Sequence, residues 1–173
     1  NETAWRVETI YHLVVADPKR GVSQLQNTGW EWHNNFTYDK VDAMARAARE
    51  HADGGRLHKG GVGWTLFWEA LLDVDYSRPR DAKEKFQRIE TAVEDDPYLT
   101  ADTLFRLGDV HVRLDEYPAA RQRYEEALPI YREIGDRLGE ANCISSLGDV
   151  HVRLDEYPAA RQRYEQALPI YRE

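Results

Sequence analysis

The sequence predicts an all-α fold in which about nine helices form antiparallel pairs that stack as a solenoid. The first observation is a duplication: residues 107–133 recur as residues 147–173, and the two blocks differ only at Glu126 versus Gln166. The second is the offset of 40 residues between the blocks, a period typical of helical repeat arrays. The third is the spacing of apolar residues, which follows a helix. One helix pair cannot bury its apolar stripe alone, so neighbouring pairs must stack on each other.

Each repeat is predicted to contain two helices joined by a tight turn. The first helix should run from about Ala101 to Leu114, because apolar residues recur there at helical spacing. Asp115 should turn the chain, since aspartate tolerates the left-handed conformation. The second helix should begin near Pro118, because a first-turn residue needs no N–H partner. Its apolar face combines small and large residues: Ala120, Tyr124, Ala127 and Leu128.

Two further features set the limits of the second helix. Gly135 is predicted to end it and Asp136 to cap the helix that follows. Pro129 and Pro169 lie inside the second helix of each repeat, where each removes one backbone hydrogen bond. We expect a kink rather than an end at these prolines, because the apolar rhythm continues beyond them.

The first hundred residues are less regular but still predict helices. Asp39 is expected to cap the third helix, Gly54–Gly63 to form a glycine-rich loop, and Asp96-Pro97 to close the fifth helix. The predicted helices span Ala4–Ala16, Val22–His33, Val41–Ala52, Trp64–Val74 and Pro79–Ala92.

The duplicated blocks resemble the tetratricopeptide repeat (TPR) family. The residues that carry the resemblance are Leu107-Gly108, His111, Ala120, Tyr124 and Ala127, and again Leu147-Gly148, His151, Ala160, Tyr164 and Ala167. The resemblance implies a right-handed superhelical solenoid of helix pairs. Three departures stand out: histidine replaces the usual aromatic residue, the unit is longer than the family's, and arginine replaces the closing proline. On this basis the chain divides into an irregular helical part (1–60), a degenerate helix-pair repeat (61–98), a repeat at 99–136 and a repeat at 137–173.

The opening part of the chain resembles a second, narrower group. Residues 2–72, which include ETIYHLVVADPKRG and WEWHNNFTYDKVDAMARAAREHADGG, are similar to the region that follows the nucleotide-binding switch in bacterial STAND-class signalling ATPases. The resemblance implies a cytoplasmic fragment of a larger signal-transduction protein, and the ATPase itself is not in this sequence.

A ligand groove is predicted on the first helices of the two repeats. Positions that face the groove in the family correspond here to Asp102, Phe105, Asp109, Val112 and Arg113, and to Asn142, Ser145, Asp149, Val152 and Arg153. Phe105 against Ser145 and Asp102 against Asn142 either tune recognition or reflect neutral drift. Asp109 and Arg113 lie four residues apart and can pair as an ion pair along the helix, as can Asp149 and Arg153.

Patterns of catalytic, metal and cofactor sites are not found in the sequence. The glycine-rich stretch lacks the Gly-Lys-Ser/Thr order of a phosphate loop, and Cys143 is expected to be a buried apolar residue. The net charge of -8 argues against binding to a nucleic-acid backbone, and no apolar run is long enough to span a membrane. A group of aromatic residues is expected to form core, with a pocket as the alternative: Trp30, Trp32, Phe36, Tyr38, Trp64, Phe67 and Trp68.

The function predicted from these observations is a non-enzymatic scaffold or sensor that binds a protein or peptide, without nucleic acid, membrane or cofactor. The alternative is a structural repeat that self-associates, because an uncovered end of a solenoid exposes apolar residues. A third hypothesis, an enzyme that uses the aromatic first half, requires a deep pocket with converging ionisable groups.

Overall fold

The computed structural model describes residues 2–92 and 96–172, and all regular structure in these residues is α-helical. Nine helices occur there, so the predicted all-α fold and the predicted number of helices are confirmed. The helices are α1 (Glu2–Ala16), α2 (Pro18–Asn34), α3 (Tyr38–Asp53), α4 (Lys59–Asp75), α5 (Pro79–Ala92), α6 (Pro97–Arg113), α7 (Tyr117–Ile134), α8 (Arg137–Arg153) and α9 (Tyr157–Ile170).

Several helices begin earlier than the sequence predicts. Helix α2 begins at Pro18, because the Asp17 side chain accepts a hydrogen bond from the Arg20 backbone N–H at 3.3 Å. Helix α4 begins at Lys59, so the predicted loop at Gly54–Gly63 ends at residue 58. The predicted cap at Asp39 is also wrong: Thr37 takes the capping position of α3 and Asp39 lies in its first turn.

Asp96 and Pro97 begin a helix rather than ending one. Asp96 Oδ1 accepts a hydrogen bond of 3.0 Å from the Leu99 backbone N–H, and Pro97 occupies the first turn of α6. The predicted start near Ala101 is therefore too late. An Asp-Pro pair fits both the end of one helix and the start of the next, because proline suits a first turn and interrupts a helix elsewhere.

The turn within each repeat has the predicted left-handed residue. Asp115 has φ of 58° and Asp155 has φ of 59°. The Glu116 backbone N–H then bonds the His111 carbonyl oxygen at 2.9 Å, and the His111 ring lies 2.5 Å from the Glu116 carboxylate. His151 and Glu156 repeat this ring contact at 2.5 Å. The histidine thus joins the first helix to the start of the second.

The turn between α4 and α5 has the same construction. Ser77 has φ of 58°, and the Arg78 backbone N–H bonds the Asp73 carbonyl oxygen at 2.7 Å. The side chains of Arg78 and Asp73 form an ion pair of 2.6 Å. Asp73 stands where the duplicated repeats have histidine, and Arg78 stands where they have glutamate. Ala82, Phe86 and Ile89 on α5 are buried, as the small–aromatic–apolar pattern predicts. The turn between α4 and α5 therefore shares its geometry with the turns inside the duplicated repeats.

Helix α7 passes through its internal proline without ending. It continues beyond Pro129 to Ile134, as predicted. Helix α9 behaves differently, because it ends at Ile170, one residue after Pro169. Gly135 then takes a left-handed conformation with φ of 75°, which favours glycine. Asp136 caps α8 by accepting a hydrogen bond of 2.9 Å from the Gly139 backbone N–H.

The chain divides into two compact units, Asn1–Glu94 and Asp95–Glu173. In the first unit α4 contacts α2, α3 and α5 and is buried on most sides. Trp64, Phe67 and Trp68 on this helix are fully buried, and Trp32 on α2 is also buried. Most of the predicted aromatic group is therefore core, whereas Phe36 is exposed.

In the second unit, consecutive helices pack against one another in order: α6 on α7, α7 on α8, and α8 on α9. Close approach of paired helices depends on a glycine beneath a tyrosine ring. A Cβ atom at Gly108 would lie 2.4 Å from Tyr124 Cε1, and a Cβ atom at Gly148 would lie 2.6 Å from Tyr164 Cε1. The duplicated glycines thus set the distance between the two helices of each repeat. Cys143 is buried in the same apolar cluster, as predicted.

Candidate ligand-binding face

The ten predicted groove residues lie on α6 and α8, the first helices of the two repeats. Their exposure is unequal. Asp102 is buried, and Phe105, Asp109, Val112, Asn142 and Ser145 are half-buried. The exposed members lie toward the end of each helix: Arg113, Asp149, Val152 and Arg153. The exposed part of the candidate face is therefore concentrated near the turns that follow α6 and α8.

Tyrosines on the second helix of each repeat bind acceptors on the first. The Tyr124 hydroxyl donates to Asp109 Oδ1 at 2.8 Å, and the Tyr164 hydroxyl donates to Asp149 Oδ1 at 2.6 Å. Neither bond is predicted by the sequence pattern, because the partners lie on different helices. The repeated Asp and Tyr positions were the available signal.

A second tyrosine in each repeat makes an equivalent bond near the start of the first helix. The Tyr131 hydroxyl donates to Asp102 Oδ1 at 2.6 Å, and the Tyr171 hydroxyl donates to Asn142 Oδ1 at 2.8 Å. The Asp102 and Asn142 side chains are thus each held by a tyrosine of their own repeat, so they support the candidate face rather than project from it.

Burial changes the titration of the first repeat. It raises the pKa of Asp102 to about 6, against the opposing effect of the Tyr131 hydrogen bond. Burial also raises the pKa of Asp109 and of the Tyr124 hydroxyl. The second repeat is more open, and burial with the Asp149 bond raises the pKa of Tyr164 to about 12.

The predicted ion pair between Asp109 and Arg113 does not form. Asp109 Oδ2 instead accepts from Arg106 at 3.1 Å, three residues earlier on the same helix. The Asp109 carboxylate therefore already has two donors, Arg106 and Tyr124. Arg113 and Arg153 are exposed, and neither forms an ion pair with any residue in the described ranges.

Phe105 forms an aromatic platform on the first repeat alone. Its ring centroid lies 5.5 Å from that of Tyr124 and 6.4 Å from that of Tyr131. The Arg106 guanidinium lies over the same ring, 5.3 Å from its centroid. Ser145 and Ser146 occupy the corresponding positions of the second repeat. The two repeats therefore present different side chains on one backbone frame.

A surface depression of about 540 Å³ lies on this face, bordered by both repeats. Two valines at equivalent positions, Val112 and Val152, form its apolar part, and Asp149, Arg153 and Tyr164 form its polar part. Apolar side chains, Val112 and Val152, thus lie beside one negative and one positive side chain, Asp149 and Arg153. This combination can hold an extended or helical peptide by one apolar side chain and two polar contacts.

A smaller depression of about 220 Å³ lies in the first unit and is strongly polar. Two of its charged groups, Arg6 and Glu31, pair with each other. Arg6 makes two hydrogen bonds of 2.7 Å to the Glu31 carboxylate, and its guanidinium lies 5.0 Å from the Trp32 ring centroid. The geometry here is that of an internal clamp between α1 and α2.

The histidine and cysteine side chains of the second unit, which are of a type that can support catalysis or bind metal, are buried. His111 and His151 are buried against glutamates, and burial raises the pKa of the Cys143 thiol. The described residues contain no group of three or more histidine, cysteine, aspartate or glutamate side chains placed to hold a metal ion. Within the same residues, no helix is long and apolar enough to cross a membrane.

Comparison with known proteins supports the repeat interpretation. Residues 98–173 match the tetratricopeptide repeat family, and no curated protein sequence matches the chain. The structure of BtubC (BKLC) from P. vanneervenii is similar, with a TM-score of 0.77 and 18% identity over 98% of this chain and 70% of that chain.

Two MamA structures are also similar. The first has a TM-score of 0.64 and 16% identity, covering 96% of this chain and 86% of that chain. The second has a TM-score of 0.55 and 17% identity, covering 95% of this chain and 91% of that chain. At these identities the likeness shows the fold alone. The second unit thus matches the tetratricopeptide repeat family, whose repeats generally bind proteins or peptides, within an all-helical repeat fold.

Proposed function

We propose that this chain is a non-enzymatic module that binds a protein or peptide along α6 and α8. The family match supports binding of this class of ligand. The observation that carries the proposal is the depression bordered by Val112, Val152 and Arg153, because it brings side chains of both repeats to one place on the surface. We propose the ten groove residues as the binding face, with the exposed ones in contact with the ligand.

The exposed arginines indicate the chemistry of the ligand. Arg113 and Arg153 occupy equivalent positions of successive repeats and have no ion pair within the described residues. A guanidinium binds carboxylates in a bidentate manner, and arginine is frequent among residues that dominate binding energy. We therefore expect a ligand with acidic side chains spaced to meet both arginines, and with an apolar side chain over Val112 and Val152.

The differences between repeats give the face a direction. Phe105 offers an aromatic surface on the first repeat, whereas Ser145 offers a small hydroxyl on the second. A ligand that places an apolar residue over Phe105 cannot make the same contact one repeat further along. We propose that this asymmetry fixes the orientation of the bound peptide.

Selection from a displayed random-peptide library tests the proposal. The chain should enrich peptides rich in aspartate and glutamate, and Arg153→Glu should weaken binding of a selected peptide by about tenfold or more. Arg161→Glu on α9 is the matched control: it makes the same charge change at another exposed arginine of the second repeat. Equal loss with both variants, or enrichment of basic peptides, would contradict the proposal.

We further propose a wider context from the resemblance of residues 2–72 to STAND-class signalling ATPases. In that context the module is the cytoplasmic sensor part of a larger protein, and ligand binding releases the ATPase switch. The open reading frame that encodes the chain should then encode a nucleotide-binding domain upstream. A reading frame without such a domain would overturn this part of the proposal.

Self-association is the second candidate function. It is favoured by apolar residues that are exposed on α9 and just after it, among them Tyr164, Leu168 and Tyr171. Light scattering over a range of concentrations tests it. A mass that rises with concentration supports assembly, and the mass of a single chain at every concentration removes it.

A further inference from the structure

Asp109 on α6 and Asp149 on α8 are equivalent residues with different partners. Asp109 has two donors: its Oδ1 accepts from the Tyr124 hydroxyl at 2.8 Å, and its Oδ2 accepts from Arg106 at 3.1 Å. Asp149 has one donor, the Tyr164 hydroxyl, which bonds Oδ1 at 2.6 Å. Its Oδ2 atom has no hydrogen-bond or ion-pair partner among the described residues. The second repeat therefore leaves open an acceptor that the first repeat fills.

This difference is built into α8 itself. Arg106 precedes Asp109 by three residues, and the residue at the same place before Asp149 is Ser146. A serine hydroxyl is short and uncharged, so it provides no ion pair to a carboxylate three residues later. Ser146 and Asp149 belong to the same helix. The open oxygen thus follows from residue 146 and does not depend on which helix packs on α9.

The open carboxylate lies where the proposed ligand binds. Asp149 is exposed and borders the depression of about 540 Å³, to which Val112 of α6 and Val152 of α8 contribute apolar side chains. Arg153 borders the same depression and has no ion pair within the described residues. A bound peptide therefore meets one negative and one positive side chain, and neither charge is neutralised by the protein.

We propose that Asp149 is a subsite for a basic side chain of the bound peptide, and that Ser146 keeps this subsite open. The subsite rests on the proposed binding of a peptide along α6 and α8. A guanidinium or ammonium group of the ligand takes the place at Asp149 that the Arg106 guanidinium takes at Asp109. Arginine matches the first repeat best, since its guanidinium is well suited to pair with a carboxylate.

This subsite gives the ligand a mixed charge pattern. Asp149 and Arg153 lie one helical turn apart, so the basic residue of the ligand must lie close to one of its acidic residues. A uniformly acidic peptide would leave Asp149 without a partner and would bring like charge toward it. Asp149 therefore discriminates against ligands that the exposed arginines alone would accept.

Parallel selections from one displayed random-peptide library test the subsite. The unchanged chain should enrich peptides that carry an arginine or lysine among acidic residues. Asp149→Asn removes the charge but keeps an acceptor for the Tyr164 hydroxyl, and Ser146→Arg supplies an internal cation as Arg106 does. Both variants should lose the enrichment of the basic residue and keep that of the acidic residues. Gln162→Arg should change neither, since Gln162 is exposed on α9 and outside the depression.

The affinity of one selected peptide gives the size of the contact. Fluorescence polarisation compares this peptide with a copy in which its basic residue is alanine. Asp149→Asn and Ser146→Arg should each weaken binding of the selected peptide about fivefold, and neither should weaken binding of the alanine copy. An arginine at position 146 that merely filled the depression would weaken both peptides, so the copy separates a lost charge contact from a blocked site. Circular dichroism checks that the variants keep their helices.

The outcomes separate the subsite from the groove function. Selected peptides that are acidic and lack a basic residue would overturn the subsite and leave the groove function standing. Equal effects of Asp149→Asn on the two peptides, or equal effects of Ser146→Arg and Gln162→Arg, would likewise overturn the subsite alone. Failure to enrich any peptide would remove the groove function and the subsite with it.

Discussion

The Tyr131 hydroxyl donates a hydrogen bond of 2.6 Å to Asp102 Oδ1, and the other carboxylate oxygen of Asp102 is buried without a hydrogen-bond partner. The second repeat has the same tyrosine at position 171 but an amide, Asn142, as its acceptor. The equivalent tyrosine hydroxyl thus donates to a charged side chain in the first repeat and to a neutral one in the second. This difference makes the stability of the first repeat depend on pH.

Replacing Asp102 with asparagine should stabilise the protein at neutral and alkaline pH. Burial raises the pKa of this carboxyl group from 3.8 to about 6, so the folded state binds the proton more tightly than the unfolded chain. The stability that the proton provides is complete below 3.8 and is lost as the pH rises through about 6. We expect Asp102→Asn to raise the free energy of unfolding by about 1–3 kcal/mol at pH 8.

Urea unfolding at pH 8 and at pH 4 measures this difference. The gain should nearly vanish at the lower pH, where Asp102 is protonated in the folded state. The reverse variant, Asn142→Asp, is the control. It should destabilise less than Asp102→Asn stabilises, because Asn142 is only half-buried. A gain that is independent of pH would show that the buried charge is not its cause.

Removing the Tyr124 hydroxyl should cost more than removing the Tyr164 hydroxyl. Tyr124 is buried and its hydroxyl supports the Asp109 carboxylate, whereas Tyr164 and Asp149 are exposed. A lost hydrogen bond to a charged group costs about 1.5–3 kcal/mol, and water replaces the bond more readily where both partners are exposed. Tyr124→Phe and Tyr164→Phe are compared by urea unfolding. Equal losses would mean that the α8 neighbour does not matter to this bond.

Alanine at the two duplicated glycines should destabilise unequally. At Gly108 the added Cβ atom would lie 2.4 Å from a buried Tyr124 ring, and at Gly148 it would lie 2.6 Å from the more exposed Tyr164 ring. The buried ring cannot move aside, so we expect a loss of about 1–3 kcal/mol for Gly108→Ala and a smaller loss for Gly148→Ala. Thermal unfolding measures both. Gly60→Ala is the control, because its Cβ atom has no neighbour closer than 3.9 Å.

Neutralising Asp73 should destabilise the first unit. This carboxylate is buried and pairs with Arg78 at 2.6 Å and with Lys85. Asp73→Asn removes the charge that both cations contact, for an expected loss of about 1–3 kcal/mol. Asp42→Asn is the matched control, because Asp42 pairs with Arg46 on the surface and such pairs contribute about 0–1 kcal/mol. Chemical denaturation that finds equal losses would contradict a structural role for the Asp73 cluster.

The sequence predicts most of this fold because its strongest signals are local. The span of α5 agrees with its prediction, since Pro79 marks its start and a small–aromatic–apolar face follows. The start of α4 could not be predicted in the same way. Gly60, Gly61 and Gly63 weaken a helix by about 1 kcal/mol each when only propensity is considered. Gly61 and Gly63 are buried in the structure, and tertiary packing outweighs that penalty.

The candidate face could be predicted only in part. The repeat motif indicates which positions of α6 and α8 share a surface, but not which of them are already bonded. Asp109 bonds Arg106 and Tyr124 instead of Arg113, because the preferred donors lie on another helix or one turn earlier.

The duplication of α7 as α9 supplies an internal reference for backbone dynamics. Intrinsic amide exchange rates depend on the local sequence, and that sequence is shared over residues 127–132 and 167–172. A difference in deuterium uptake between these two segments therefore reports their surroundings, which are the α8 neighbour at the first segment and the end of α9 at Ile170 in the second. We expect the later segment to take up deuterium faster, because no α8 equivalent restrains its opening within the described residues. Mass spectrometry of matched fragments would then give the combined stabilisation that the stacked α8 and the continuing helix confer on the first segment.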